Sequence, residues 1–494
     1  MSIKPNYESY RYTGEICKLQ SQSLVECRLP GSEIGNILAV QAKTSLIDCT
    51  CADGEVRYNG KLLLCVVYED GDGQICRAER GAEFFHKADG NEVSPSCFAK
   101  TRLAVENVSH RREGSGLYIS VVVSALSTVY GARQMDYLVG GDGMITQTGE
   151  RNVCRSICVS GETEAEDEFE TEFVGDILLH DERAVVSRVT ASAGQIDIEG
   201  ELALCVCVWK GGDELCSYER LIPFRMQIPC EDAFGQVRVA ARVSVKDARL
   251  TAAVDEEKNK SKIVFDYALS ADCFLYTEET LSLATDAFSD QMQLTLKKTN
   301  DGGMYLTNAV KCVERVGGVA SVLPAPGGEY SLRAAVLPRV EATCRKGERG
   351  WEMEGAVQAE LILRSADGGN RACTLTLPFV FPLNIDGDLV EADGAVCGLK
   401  VRRQKNGETE AEATVQMQVR AYERREWDYI GETTEGEVYE KETAAVSVYA
   451  LREGEGLWEV AKRLRRDPDE LAKSNPTLEF PVKAGERIFV YRKI

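Results

Sequence analysis

Histidine is nearly absent from this 494-residue chain: His86, His110 and His180 leave few candidates for general-base or metal chemistry near neutral pH. None of the eighteen cysteines forms a CxxC pair, the closest spacings being Cys49/Cys51, Cys205/Cys207 and Cys154/Cys158, so zinc-ribbon and thioredoxin-like readings lose their main support. HExxH, GxSxG and the Walker loop GxxxxGK(S/T) are missing. The expectation is a protein with no catalytic residues, no metal ligands and no cofactor. No run of about 18 uncharged apolar residues is present to cross a bilayer, which argues against membrane insertion. The opening MSIKPNYESYRYTGEIC has neither an apolar core nor a small-residue cleavage site, so the expected compartment is the cytoplasm. Basic residues are outnumbered, 58 against 79 acids for a net charge of −21, which works against a general nucleic-acid binder because phosphate contacts need a basic surface, and leaves room only for a local basic patch.

What is present is modular. The length suggests about three or four domains, and 44% hydrophobic with 28% charged residues is a globular composition. Aligned with itself, the chain repeats. Residues 194–224 overlay residues 54–84 without gaps at an offset of 140, pairing Gly60 with Gly200, Cys65 with Cys205, Cys76 with Cys216 and Glu79-Arg80 with Glu219-Arg220. At a further offset of 155, Gly355 matches Gly200 and Pro378-Phe379 matches Pro223-Phe224.

Each copy leads an apolar run (Leu62 to Tyr68, Leu202 to Trp209, Val357 to Leu363) into a glycine-rich turn, as a β-hairpin does. The turns span Glu69 to Gly73, Lys210 to Asp213 and Ala366 to Gly369. A second strand pair follows in each copy and ends at Tyr130, Tyr276 and Tyr422. From Glu408 to Arg420 polar and apolar residues alternate with the period of a half-buried strand. Long helical periodicity is absent to about residue 440. The expected fold is therefore mainly β, with three repeated antiparallel β-sandwich-like domains over residues 1–140, 141–284 and 285–442. Glu162, Glu164, Glu166, Glu168, Glu170 and Glu172 share one strand face, either as a solvated edge whose charge blocks aggregation or as a dock for a basic partner.

Past Glu442 the pattern becomes strand, helix, helix, strand. Leu457, Val460, Ala461 and Leu464 recur at helical spacing, with Lys462, Arg463 and Arg466 outside that set. Asp467, followed by proline, is a plausible N-cap for a second helix. From Ala445 onward ten basic residues meet eight acidic ones, a net +2 that leaves −23 on the remainder.

Residues 445–494 resemble a LysM domain at Tyr449, Gly454 to Trp458, Val460-Ala461, Leu471, Asn475-Pro476, Leu478 and Gly485 before the closing strand Ile488 to Val490. The resemblance implies a small βααβ fold. It also implies a groove for N-acetylglucosamine polymers between two loops, here Gly454, Glu455, Gly456 and Leu457, and Asn475, Pro476, Thr477 and Leu478. Where the family has aspartate followed by threonine or serine, this chain has Glu455-Gly456, removing a hydroxyl that caps the helix and lies beside the sugar. The upstream copies resemble the SPOCS domain of spore-coat-associated proteins, at the strands around Gly60, Gly200 and Gly355, the Pro-Phe step and Thr285-Asp-Ala-Phe-Ser289.

Together these resemblances imply a non-enzymatic scaffold of spore coat assembly in the mother-cell cytoplasm, at the forespore surface or spore coat. Its β repeats would bind proteins and its tail would dock the coat basement-layer ATPase or another coat protein, with Lys462, Arg463 and Arg466 on the contact surface. The alternative is a peptidoglycan-binding, wall-anchored or phage-type structural protein whose tail binds N-acetylglucosamine-containing glycan. Two smaller expectations concern single residues. Cys205 and Cys207, two apart on one strand face, read as small buried hydrophobes, with a soft metal or a coat cross-link as the sharper reading. Trp458 reads as core of the tail.

Overall fold

The computed structural model describes residues 2–30, 34–114, 116–171, 175–211, 214–234, 237–255, 260–325, 330–366, 368–404, 408–440 and 446–491. Glu172, Asp213, Asp367, Glu442 and Ala445, all invoked above, lie outside the described residues.

The chain is mainly β-strand arranged in antiparallel sheets. A long strand β1 (Lys4–Pro30) precedes a meander of β2 (Ile37–Ala52), β3 (Glu55–Glu69) and β4 (Ile75–Asp89), then a hairpin of β5 (Phe98–Glu113) and β6 (Gly116–Asp142). These six strands form the sheets β1-β6-β5 and β2-β3-β4. Next come β7 (Ile145–Thr171), β8 (Asp176–Ser192), β9 (Gln195–Trp209), β10 (Leu215–Pro229), β11 (Arg238–Asp255) and β12 (Lys260–Phe288), paired as β7-β12-β11 and β8-β9-β10. Then β13 (Met292–Leu323), β14 (Tyr330–Gly347), β15 (Gly350–Ser365), β16 (Asn370–Leu383), β17 (Leu389–Arg403) and β18 (Thr409–Val438) pair in the order β14-β15-β16-β13-β18-β17, β13 meeting β16 only at Ser321 to Leu323.

Within each group one face of the meander packs on the hairpin sheet. Leu62, Leu64 and Val66 meet Leu117, Ile119 and Val121; Leu202, Leu204 and Val206 meet Phe265, Leu269 and Ala271; Val357, Leu361 and Leu363 meet Ala413, Val415 and Met417. Each fully buried leucine or valine contributes about 1.5–3 kcal/mol. The glycines matched in the sequence have a steric reason. Gly60 stands opposite Phe84 and Gly200 opposite Phe224, and a Cβ at either position would enter the facing ring.

The strands do not stop at the tyrosines. Beyond Tyr130, Tyr276 and Tyr422, strands β6, β12 and β18 run on to Asp142, Phe288 and Val438, still paired with β1, β7 and β13. These extensions pack on one another rather than on a meander. Leu138, Ala284 and Ile430 share one buried cluster, while Met135, Leu283 and Trp427 share another. Alternation along the strand cannot reveal this: it marks one face as buried, with Arg424, Glu426 and Glu432 left exposed on β18, but does not say which part of the chain covers that face.

The meanders also meet through their second faces. Val67, Cys207 and Ile362 are buried together with Ala39, Leu179 and Ala334. Cys207 therefore points away from Leu202 and Leu204, and burial among three sheets pushes its thiol up to about 12. On β7, Glu162, Glu164, Glu166, Glu168 and Glu170 are exposed, but Lys246, Lys262 and Lys260 pair with Glu162, Glu168 and Glu170. Much of that acidic comb is thus answered within the chain.

Candidate functional site

The C-terminal stretch folds as β19 (Val446–Ala450), α1 (Leu457–Leu464), α2 (Pro468–Ser474) and β20 (Arg487–Tyr491), with β19 antiparallel to β20. Val460 and Ala461 are fully buried, and Leu457, Trp458 and Leu464 are half-buried against the same core of Leu471, Val482 and Ile488. Gly456 has no side chain to cap α1, but the Glu459 carboxylate accepts its N–H at 2.6 Å. The second helix is capped as its sequence suggests. Asp467 accepts from the N–H groups of Asp469 and Glu470 at 2.9 and 3.1 Å, with Pro468 opening the helix.

The two loops singled out by sequence are built differently. Gly454 adopts φ +81°, a left-handed conformation that suits glycine, and donates to the Val482 carbonyl at 2.9 Å. Glu455 is turned to internal work: its carboxylate accepts from the Arg452 N–H at 2.7 Å and from Arg463 at 3.0 Å. Asn475 is buried, donating to the carbonyls of Leu471 and Phe489 and accepting the Phe489 N–H at 2.8 Å, so it ties α2 to β20. Pro476 and Thr477 are exposed, while Leu478 joins the core of the unit. Of the eight loop residues, Gly454, Pro476 and Thr477 are the ones presented openly to solvent.

The basic residues of α1 are similarly committed. Lys462 bonds both carboxylate oxygens of Asp286 on β12, at 2.6 and 2.7 Å. Trp458 Nε1 donates to the same carboxylate at 2.8 Å, and its ring meets Phe288 edge-on at a centroid separation of 5.2 Å. Burial opposes the charge on Asp286, but the bonds from Lys462 and Trp458 outweigh it and hold the carboxyl below its usual range. Arg465 ends α1 at φ +54°, an uncommon conformation for a side-chain-bearing residue, with its guanidinium 3.4 Å from the centroid of Tyr439. Arg466 is half-buried. A cleft lies at this junction, lined by Arg151, Asp286, Leu296, Lys298, Trp458 and Lys462.

Asp286, Phe288 and Tyr439 are the contributors that sequence reasoning missed. The only signal was the stretch Thr285 to Ser289, noted for its resemblance and not for any contact with the tail.

His180 has a structural setting: its Nδ1 lies 2.9 Å from Glu182 and 3.3 Å from Lys43, in a contact between β8 and β2. Among the described residues no group of three or more His, Cys, Asp or Glu side chains could hold a metal ion. No helix among them is long and apolar enough to cross a membrane. Compared with known proteins, the chain matches no family model, no curated protein and no solved structure.

Proposed function

We propose that this chain is a non-enzymatic scaffold of spore coat assembly. In this reading residues 1–140, 141–284 and 285–442 are three repeated β-sandwich-like domains, and residues 445–494 are a LysM-like module that docks the coat basement-layer ATPase or another coat protein. The observation that carries it is the junction at Asp286, where Trp458 and Lys462 are held by the large β body. A module fixed in this way presents its free surfaces at a defined orientation, which suits assembly better than a tethered wall anchor. Two further features support the reading. The strand order of the first six strands recurs in the next six, as expected of duplicated interaction units. The two loops expected to grip a sugar spend Glu455 on Arg452 and Arg463, and Asn475 on the backbone of β20.

The test compares the intact chain with a truncation ending at residue 440. Both are incubated with insoluble peptidoglycan and, separately, with the purified ATPase. The proposal expects ATPase capture that depends on the tail and no co-sedimentation with peptidoglycan. Tail-dependent co-sedimentation without ATPase capture would establish the wall-anchored reading instead.

A further inference from the structure

Residues of β19 and β20 alternate between two faces. Ile488 and Val490 point into the core of the unit, at 0 and 2% exposure. On the other face Val446 stands opposite Tyr491 and Val448 opposite Phe489, all four between 43 and 58% exposed. Ala450 stands opposite Arg487 at the end of the same row. A two-stranded sheet with one buried face ordinarily turns polar residues to water. This one turns out two valines, a phenylalanine, a tyrosine and an arginine. The cations of α1 make a useful contrast, since Lys462 is paired with Asp286, Arg463 with Glu455, and Arg465 lies over Tyr439. Arg487 has no ion pair among the described residues and is exposed.

We infer that the outer face of β19–β20 is a docking site for a short apolar segment of another protein that carries a carboxylate for Arg487. This rests on reading the C-terminal unit as a docking module, and it moves the contact surface from α1 to the sheet. The size of the patch argues for a segment. Four side chains, each about half exposed, offer on the order of 400 Å². Each partner in a stable interface gives roughly 800 Å². A second copy seated symmetrically on this face alone would bury about half of what such a dimer needs, and would bring two Arg487 guanidinium groups into one contact. A short segment needs no more area than this, with Phe489 and Tyr491 as rigid anchors. Charge selects its chemistry. The unit carries net +2 on a chain of −21, and its exposed Arg487 favours a carboxylate.

Random peptides displayed on phage and selected on the intact chain are the probe. The expected sequences combine apolar or aromatic residues with aspartate or glutamate. Synthetic versions should weaken about ten-fold or more with the pair Phe489→Ser and Tyr491→Ser, and several-fold with Arg487→Glu. The pair Arg463→Glu and Arg466→Glu should leave them unchanged. Val448→Thr alters the face while keeping a strand-forming residue, so its effect on affinity separates lost contact from lost folding. Affinity that ignores the sheet substitutions but falls with those in α1 would overturn the sheet site and leave the docking reading standing. Dimerisation abolished by Phe489→Ser would overturn it in favour of a second copy. Selection of no peptide, together with binding of a chitin oligomer, would remove the docking reading itself.

Discussion

Lys462 and Asp286, 176 residues apart in the chain, form a two-pronged ion pair that fastens the C-terminal unit to β12. Trp458 donates to the same carboxylate, so one side chain of the body gathers two residues of α1. Removing it in Asp286→Ala should loosen α1 against the body by about 1 kcal/mol, a modest figure because the pair is partly exposed. Faster amide exchange over residues 458–466, with the core strands unchanged, is the expected signature. The pH dependence follows from the depressed carboxyl of Asp286. Its contribution is complete above the ordinary aspartate pKa and is lost as pH falls through the lower folded value, so the junction should loosen on acidification and not at alkaline pH. Trp458→Phe should lose the bond while keeping most of the packing on Phe288. Combined with Asp286→Ala it should therefore be non-additive.

Leu64 and Leu204 occupy matching places in β3 and β9 and are 0 and 1% exposed. Leu64→Asp and Leu204→Asp should each cost more than about 4 kcal/mol, since a carboxylate would enter a dry sheet-on-sheet core. Thermal melts of the two variants check this, and a parent-like melt in both would show that the facing of these strands is wrong.

Arg420 on β18 is 1% exposed and bonds Asp393 on β17, which Arg102 from β5 also reaches at 2.6 Å. Burial opposes the charge of Asp393, but Arg420, Arg102 and Arg242 outweigh it and hold the carboxyl at about 2. Asp393→Ala should cost about 3 kcal/mol, because it removes the nearest anion from a buried guanidinium and leaves Glu391, 3.8 Å away, as its remaining counter-charge. Adding Arg420→Met should restore much of the loss. The stabilisation from Asp393 is present above about pH 3.9 and lost as pH falls through about 2, so the denaturant midpoint of the parent should fall in acid more than that of Asp393→Ala.

All eighteen cysteines are free thiols. Burial pushes Cys207 and Cys273 up to about 12, and both are within 1% of full burial. Brief alkylation of native protein followed by mass spectrometry should label half-exposed Cys17 and Cys97 first and leave Cys207 and Cys273 for the denatured chain.

How much of this was legible in the sequence depends on what covers each face. The apolar runs Leu62 to Tyr68 and Leu202 to Trp209 before glycine-rich turns announce strands by local pattern, but runs apolar on both sides do not say which face meets the hairpin sheet and which meets the other meanders. Asp467 before Pro468 announces a helix start by the same local logic. The continuation of β6 past Tyr130 was hidden, since Met135 and Leu138 are buried by ribbons that arrive from β12 and β18. Cys207 was assigned the right environment on an incomplete argument: it is buried, but on the face opposite the leucines. The role of Asp286 was invisible for the same reason, because an acidic residue near a strand end carries no trace of a lysine 176 residues later. At the candidate site, composition showed a basic tail but not which cations the chain itself consumes.

The most direct test of the account is the affinity of the intact chain for the purified basement-layer ATPase and for a chitin oligomer, measured side by side by calorimetry. The account predicts binding to the ATPase that disappears when the chain ends at residue 440, with no heat from the oligomer. Heat from the oligomer that disappears with the same truncation, and none from the ATPase, would contradict it.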